Sequence, residues 1–408
     1  DEMIHLAKEM ERQGFTIPLL IGGATTSLAH TAVKVDLEYS GPVVHVNDAS
    51  RAVNVVSKLL QKEVQEAYKA EIKAQYGRVR EGYAKNKNAK PSLSISAARE
   101  NKFPIDWENY TPPVPKKLGV HQLENYPLKK LVDFIDWTPF FQTWQLHGKF
   151  PALLEDEKIG AEATKLYKDA QEMLRQIVRE NWLTANGVYG LFEANAVGDD
   201  IFLPSENETF FSLRQQGEFK PGIANYALSD FIARAESGKQ DFIGCFAVAA
   251  GMGIDERVKQ YEAEHNDYKA LLLKSLADRL AEAFAEHLHL RVRTEFWGYS
   301  PQESLSTDDL ISEKYQGIRP APGYPACPDH LEKKTIFKLL QPEKSGITLT
   351  ESLAMFPAAA VSGYYFSHPE SRYFAVRDID KDQVEDYANR KEITKDEAEK
   401  WLRPVLKS

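Results

Sequence analysis

The segment Gln316–His330, QGIRPAPGYPACPDH, sets the tightest limit on how this chain folds. Pro320, Pro322, Pro325 and Pro328 each lock φ and remove a backbone donor. The stretch is therefore excluded from a helix interior and from a central strand. It must run as a stiff, extended loop laid over a surface built by other elements, with Gly323 free to take a conformation that other residues avoid. Such a loop presents Arg319, Tyr324 and a few unpaired backbone groups at fixed positions. A guanidinium is a rigid donor fork that matches a carboxylate, and a tyrosine adds a flat face with a hydroxyl. A structural proline wrap with a surface arginine satisfies the same residues, and both readings stand at this point.

The surface for that loop is expected from residues 101–408, where helical patterns fall at 126–132, 148–180, 223–236, 255–291, 306–314, 330–341 and 380–399. Strand patterns fall at 188–192, 200–203, 208–213, 241–249, 353–357, 361–366 and 372–376. Helices and strands do not alternate regularly, and short turns join the candidates between 188 and 213. That pattern predicts an α+β domain with a mostly antiparallel sheet. The longest periodic run places Leu273, Leu276, Ala277, Leu280, Phe284 and Leu288 on one helix stripe, the expected core face. Glu282 lies off the centre of that stripe, where a carboxylate is either solvated or turned to a ligand. His287 and His289 are two apart and do not share a helix face as metal ligands would.

Asp136 sits among Phe134, Trp137, Phe140, Phe141 and Trp144. A carboxylate in such surroundings needs partners or a cationic ligand, unless it caps a following helix. Residues 355–374 read as two strands and a turn, with Ser362, Gly363, Tyr365 and His368 beside a cleft wall. No nucleophile elbow, paired catalytic carboxylates or metal motif is evident.

Residues 1–60 read differently. A helix pattern on Met3, Leu6, Ala7 and Met10 ends near Gly14, apolar Ile17–Ile21 follows as a strand, and GPVVHVND supplies a second strand. Between them lie Gly22, Gly23, Thr25, Thr26 and Ser27, a turn that either receives an anion or polar cofactor tail or simply caps the helix from Leu28. This is a piece of a doubly wound α/β unit. Helical sequence begins at once, so the N-terminus reads as cut from a longer polypeptide. Residues 61–97 form a charge-rich helix fading into a polar boundary at Pro91, a hinge or a plain connector.

A net charge of -9 argues against a nucleic-acid scaffold. The two cysteines, Cys245 and Cys327, lie in no ligand array, which argues against a disulfide framework or structural zinc. With no apolar run of membrane-spanning length and no signal peptide, a cytoplasmic location and no membrane partner are expected.

At RPAPGYPACPDH the chain closely resembles the cobalamin-dependent methionine synthase family, whose Arg-x-x-x-Gly-Tyr signature is matched by Arg319, Gly323 and Tyr324. IDWTPFF at 135–141, LADRLAEAFAEHLH at 276–289, VSGYYFSHP at 361–369, DQVEDYANRK at 382–391 and IGGATTSLAHTAVK at 21–34 continue the likeness in order, so it covers practically the whole chain. The resemblance implies that residues 1–60 are the C-terminal part of a cobalamin-binding domain, 61–97 a linker, and 98–408 a C-shaped reactivation domain with a bent antiparallel sheet. It implies that Arg319 contacts the carboxylate of S-adenosylmethionine, with Ala321, Gly323 and Tyr324 helping to hold the ligand. Asp136 and Glu282 would contact its amino group and neighbouring polar atoms. Gly22, Gly23, Thr25, Thr26 and Ser27 would lie near the nucleotide tail of cobalamin.

The implied role is reductive methylation of cob(II)alamin within an enzyme that transfers methyl from 5-methyltetrahydrofolate to homocysteine. The implied partners are the cobalamin domain of the same polypeptide and a flavodoxin or flavin-containing reductase. The family's Asp-x-His-x-x-Gly segment is absent, as are the zinc-bearing homocysteine domain and the folate domain. This chain alone is therefore expected neither to hold cobalamin well nor to make methionine. A non-catalytic module that senses S-adenosylmethionine, or a structural relative, are the alternatives.

Overall fold

The computed structural model describes residues 2–22, 27–46, 49–86 and 92–407, and the chain divides into two compact units, Asp1–Pro91 and Ser92–Lys407. In the first, α1 (Glu2–Arg12) packs Ala7 and Met10 against β1 (Leu19–Gly22) and β2 (Val43–Val46), which pair in parallel from Leu19↔Val43 to Gly22↔Val46. Of the expected face of α1, Met3 packs inward with Ala7 and Met10, and Ile4 beside it, whereas Leu6 is 48% exposed. The short α2 (Leu28–His30) widens over Thr31–Val35 and tightens over Asp36–Glu38. Arg80 reaches into this stretch, donating to the Ala32 carbonyl and to Asp36.

Arg80 belongs to α4 (Lys62–Asn86), which follows α3 (Ala49–Leu60). The sequence reading sets 61–97 apart as a linker; in the structure its helix is part of the first unit. Ile72 and Tyr76 of α4 are buried against Ala32, Val44 and Val46, and the Tyr76 hydroxyl accepts from the backbone N–H of His45. The residues after Pro91 belong to the second unit, where α5 (Ile95–Glu100) begins on Ser94, whose side chain accepts from the Ala97 N–H.

The second unit is built on one sheet ordered β10-β7-β4-β5-β6, with β3 also beside β4. Its strands are β3 (Gly119–Leu123), β4 (Thr184–Val197), β5 (Asp200–Leu203), β6 (Glu208–Phe211), β7 (Asp241–Met252) and β10 (Ala360–Tyr365), and every pairing is antiparallel. A separate small pair joins β8 (Thr348–Leu349) to β9 (Met355–Phe356).

Both faces of the main sheet are covered, which explains the unbroken apolar run of β7. Phe246, Val248 and Ala250 join one core with α6 (Trp137–Thr143), α7 (Gly160–Glu180), α8 (Ile254–Ala263) and α9 (Asp267–Arg291). Ile243, Cys245, Ala247 and Ala249 join another with α11 (Glu332–Leu340), which follows the short α10 (Thr307–Ile311). All six residues of the α9 stripe are buried, as their spacing requires.

Three departures from the expected elements have visible causes. Residues 223–236 form two short 3-10 turns, Leu228–Phe231 and Ala235–Ser237, rather than one helix, and at their start the groups are used elsewhere: Arg214 donates to the Asn225 carbonyl and Gln215 exchanges bonds with Tyr226. Residues 372–376 form no strand; the Val376 N–H donates to the Pro325 carbonyl instead of to a neighbour in the sheet. The helix expected from 148 starts at Gly160, after Asp156 has accepted the N–H groups of Lys158 and Ile159. β3 was not expected: its residues are only half-buried or exposed and carry a weak apolar signal.

A side-chain and backbone latch joins the two ends of this unit. Ser92 donates to Asp380 and accepts from Lys407 at 2.6 Å, and the Ile95 N–H donates to Asp382. Arg99 pairs with Asp199 and with Asp386 of α12 (Lys381–Lys391), which precedes α13 (Lys395–Leu402).

Candidate functional site

The proline-rich loop lies along the open edge of β10. Ile318 exchanges backbone bonds with Phe366, and the Pro320 carbonyl accepts from the Tyr364 N–H at 2.9 Å. Its reversal at 323–327 closes on itself: the Gly323 N–H donates to the Cys327 carbonyl, and the Cys327 N–H to that of Tyr324. Gly323 has φ +92, and an added Cβ would lie 2.2 Å from the His330 ring, so glycine is required there twice over. The Arg319 backbone N–H donates to the Tyr373 hydroxyl at 2.9 Å, which fixes where the arginine leaves the loop.

Arg319, Ala321, Tyr324 and Glu282 come together in one cleft of about 450 Å³, with Glu313, Tyr373, Phe374 and Val361 completing its lining. Gly323 stands in the turn beside it. Asp136 is placed elsewhere. It lines a second cleft with Lys149, Tyr167 and Asp308, and accepts the Thr138 N–H as the N-cap of α6. The helix-capping alternative for Asp136 is thus realised.

Arg319 is already held from behind. Its Nη2 donates to Glu286 Oε2 at 3.0 Å and its Nη1 to His289 Nδ1 at 3.1 Å, both residues of α9. Burial opposes the guanidinium charge, but Glu286, Tyr315 and Tyr373 more than offset it and raise the Arg319 pKa above its usual value. His289 is fully buried, stacked on Tyr365 and edge-on to Tyr315. Burial, together with Arg293 and Arg319, holds its imidazole well below the usual histidine pKa. The Glu313 carboxyl, also on the cleft, is raised by burial, with Arg319 acting the other way.

The sequence singles out none of Glu286, Glu313 and Tyr373, and reads His289 only as a residue that does not share a helix face with His287 for metal binding. One signal was available: Glu282, Glu286 and His289 recur at four and three residues, a polar stripe on the same helix as the apolar one, with Arg293 four residues further in the widened turn that follows it. In the first unit only Gly22 and Ser27 of the turn fall within the described residues; Gly23, Thr25 and Thr26 lie outside them. Ser27 caps α2 by accepting from the His30 N–H, and a Cβ at Gly22 would meet the Val46 carbonyl at 3.1 Å. Local packing accounts for both residues.

Fold and cleft together define an α+β domain built on a two-sided antiparallel sheet, with an arginine backed by a helix on the lining of its cleft. The chain belongs to the family described as vitamin B12 dependent methionine synthase, activation domain, whose model matches residues 127–392. It is similar, at 53% identity and a TM-score of 0.75, to a solved structure described as the crystal structure of the MetH reactivation domain bound to AdoHcy. That match covers 78% of this chain and 99% of the other. Membership of this family implies a domain that works within a larger methionine synthase polypeptide carrying a cobalamin domain. No helix among the described residues is long and apolar enough to cross a membrane.

Proposed function

We propose that the Arg319 cleft binds S-adenosylmethionine and presents its methyl group for the reductive methylation of cob(II)alamin in the full-length enzyme. The observation that carries this reading is the convergence of Arg319, Ala321, Tyr324 and Glu282 on one cleft, in a chain 53% identical to a reactivation domain solved with AdoHcy. The residues suit the ligand. Arg319 retains guanidinium donors beyond those given to Glu286 and His289, enough for a bidentate pair with the carboxylate. Glu282 provides a charge for the ammonium group, and Tyr324, 58% exposed, a face for the apolar part of the ligand.

Gly323 keeps the turn narrow; Asp136, which lines the second cleft, stays a proposed contact for the amino end through the oxygen its helix cap leaves free. Bound cobalamin would supply the cobalt that accepts the methyl group, and the residues described here would orient the sulfonium toward it. The balance is one electron plus one methyl cation from the sulfonium per cob(II)alamin, leaving S-adenosylhomocysteine; a flavodoxin or flavin-containing reductase provides the electron. In the first unit Gly22, Gly23, Thr25, Thr26 and Ser27 remain the residues proposed near the nucleotide tail of cobalamin.

Calorimetric titration of S-adenosylmethionine tests the reading. Saturable one-to-one binding is expected, weakened by at least about tenfold in Arg319→Ala, the scale of a lost charge-assisted pair. Equal affinity of the two proteins would overturn the assignment.

A further inference from the structure

We infer that Glu286 and His289 are positioning residues for Arg319: two acceptors on successive turns of α9 that set the guanidinium plane before any ligand arrives. The inference rests on the proposed role of Arg319. Its own evidence is the geometry behind the arginine. Glu286 Oε2 and His289 Nδ1 take one donor from each terminal nitrogen, at 3.0 and 3.1 Å. Two such bonds on different nitrogens remove the rotation about the last side-chain torsion that a single ion pair would leave.

The protonation of His289 follows from the same contact. A guanidinium nitrogen can only donate, so Nδ1 must carry a lone pair and the proton of the neutral ring sits on Nε2. That Nε2 is buried without a hydrogen-bond partner, as is Oε1 of Glu286. An unsatisfied buried polar atom is costly, and a leucine or phenylalanine would fill the space against Tyr365 without it. Packing alone therefore gives no reason for a histidine at 289, whereas an acceptor for Arg319 does. Arg293 on the next turn reinforces the neutral form. Its guanidinium lies over the Tyr315 ring, 4.1 Å from the centroid, and it raises the cost of a further positive charge at His289.

The device also sets specificity. A guanidinium held in one plane rewards a planar carboxylate and gains little from a ligand that lacks one. The effect of the two residues should thus be confined to ligands with the amino-acid end.

The test uses this chain with two ligands, S-adenosylhomocysteine and 5′-deoxy-5′-methylthioadenosine, which lacks the amino-acid carboxylate. His289→Phe keeps a ring against Tyr365 and removes the acceptor; His289→Asn puts an amide oxygen near the Nδ1 position; Glu286→Gln keeps an acceptor and removes the charge. His289→Phe is expected to weaken S-adenosylhomocysteine about tenfold and leave methylthioadenosine unchanged, and His289→Asn to recover most of that loss. Glu286→Gln should fall between, again for the carboxylate ligand alone. Equal weakening of both ligands, or no recovery in His289→Asn, would mean that the residues only support the fold. Unchanged binding of S-adenosylhomocysteine in His289→Phe would sink the inference outright. Arg319→Ala alongside separates the two levels: if it too binds normally, the reading of the cleft has failed rather than the positioning.

Discussion

Gly363 of β10 lies so close to Pro320 that a Cβ added to it would sit 2.6 Å from the Pro320 carbonyl oxygen. The neighbouring Tyr364 N–H donates to that same oxygen. The loop bearing Arg319 is thus seated on the strand by backbone contact, with no side chain between them.

Substituting Gly363→Ala should therefore lift the loop from its seat. Overpacking of this kind costs about 1–3 kcal/mol, readable as a lower urea midpoint with unchanged slope. Because Pro320 adjoins Arg319, the affinity for S-adenosylmethionine should fall as well. A variant as stable as the parent, with the same affinity, would contradict the seating.

Arg214 is almost fully buried between two carboxylates, donating to Asp199 at 2.8 and 2.6 Å and to Asp230 at 2.7 Å, and also to the Asn225 carbonyl. Arg214→Met leaves the carboxylates buried with too few partners, and a loss of about 3–5 kcal/mol is expected. Chemical denaturation measures it. A loss below about 1 kcal/mol would mean that water or Arg99 replaces the missing charge.

Asp241, at the start of β7, has its carboxyl pushed up to about 7 by burial, although the Ala233 and Phe242 N–H groups act against the shift. Its unfolded value is about 3.9. The folded chain therefore holds this proton more tightly, so the contribution to stability is full below about pH 4 and is lost as pH rises to about 7. The size is on the order of 1–4 kcal/mol. His287 and His368, both lowered by burial to about 4, act with the opposite sign between that pH and their unfolded range. Comparison with Asp241→Asn isolates the aspartate: the advantage of the parent over the variant should decline from pH 4 to 7 and level off above. A constant difference would show that Asp241 does not titrate in that range.

Phe284 is fully buried on α9 and stacks on Tyr126 with ring centroids 4.6 Å apart. Truncation to alanine should cost about 3–5 kcal/mol, measured as a loss in unfolding free energy. A much smaller cost would mean that the surrounding helices close the gap.

The fold was legible wherever the signal was local and repeated. The α9 stripe from Leu273 to Leu288 dictated a helix and its buried face, and the short turns between β4, β5 and β6 announced antiparallel neighbours. Misreadings arose where distant groups decide the backbone. Residues 223–226 are bound by Arg214 and Gln215, and Val376 by Pro325, none of which local propensity registers. The cleft divides in the same way. Arg319 and Tyr324 stood out because four prolines made their setting unusual. Glu286 and His289 sit in an ordinary helix, and only the loop folding onto them reveals what they face.

The latch of Ser92, Asp380 and Lys407 brings the two ends of the second unit to one spot. Closed on each other in this way, the two ends are held against the fraying that separate termini undergo.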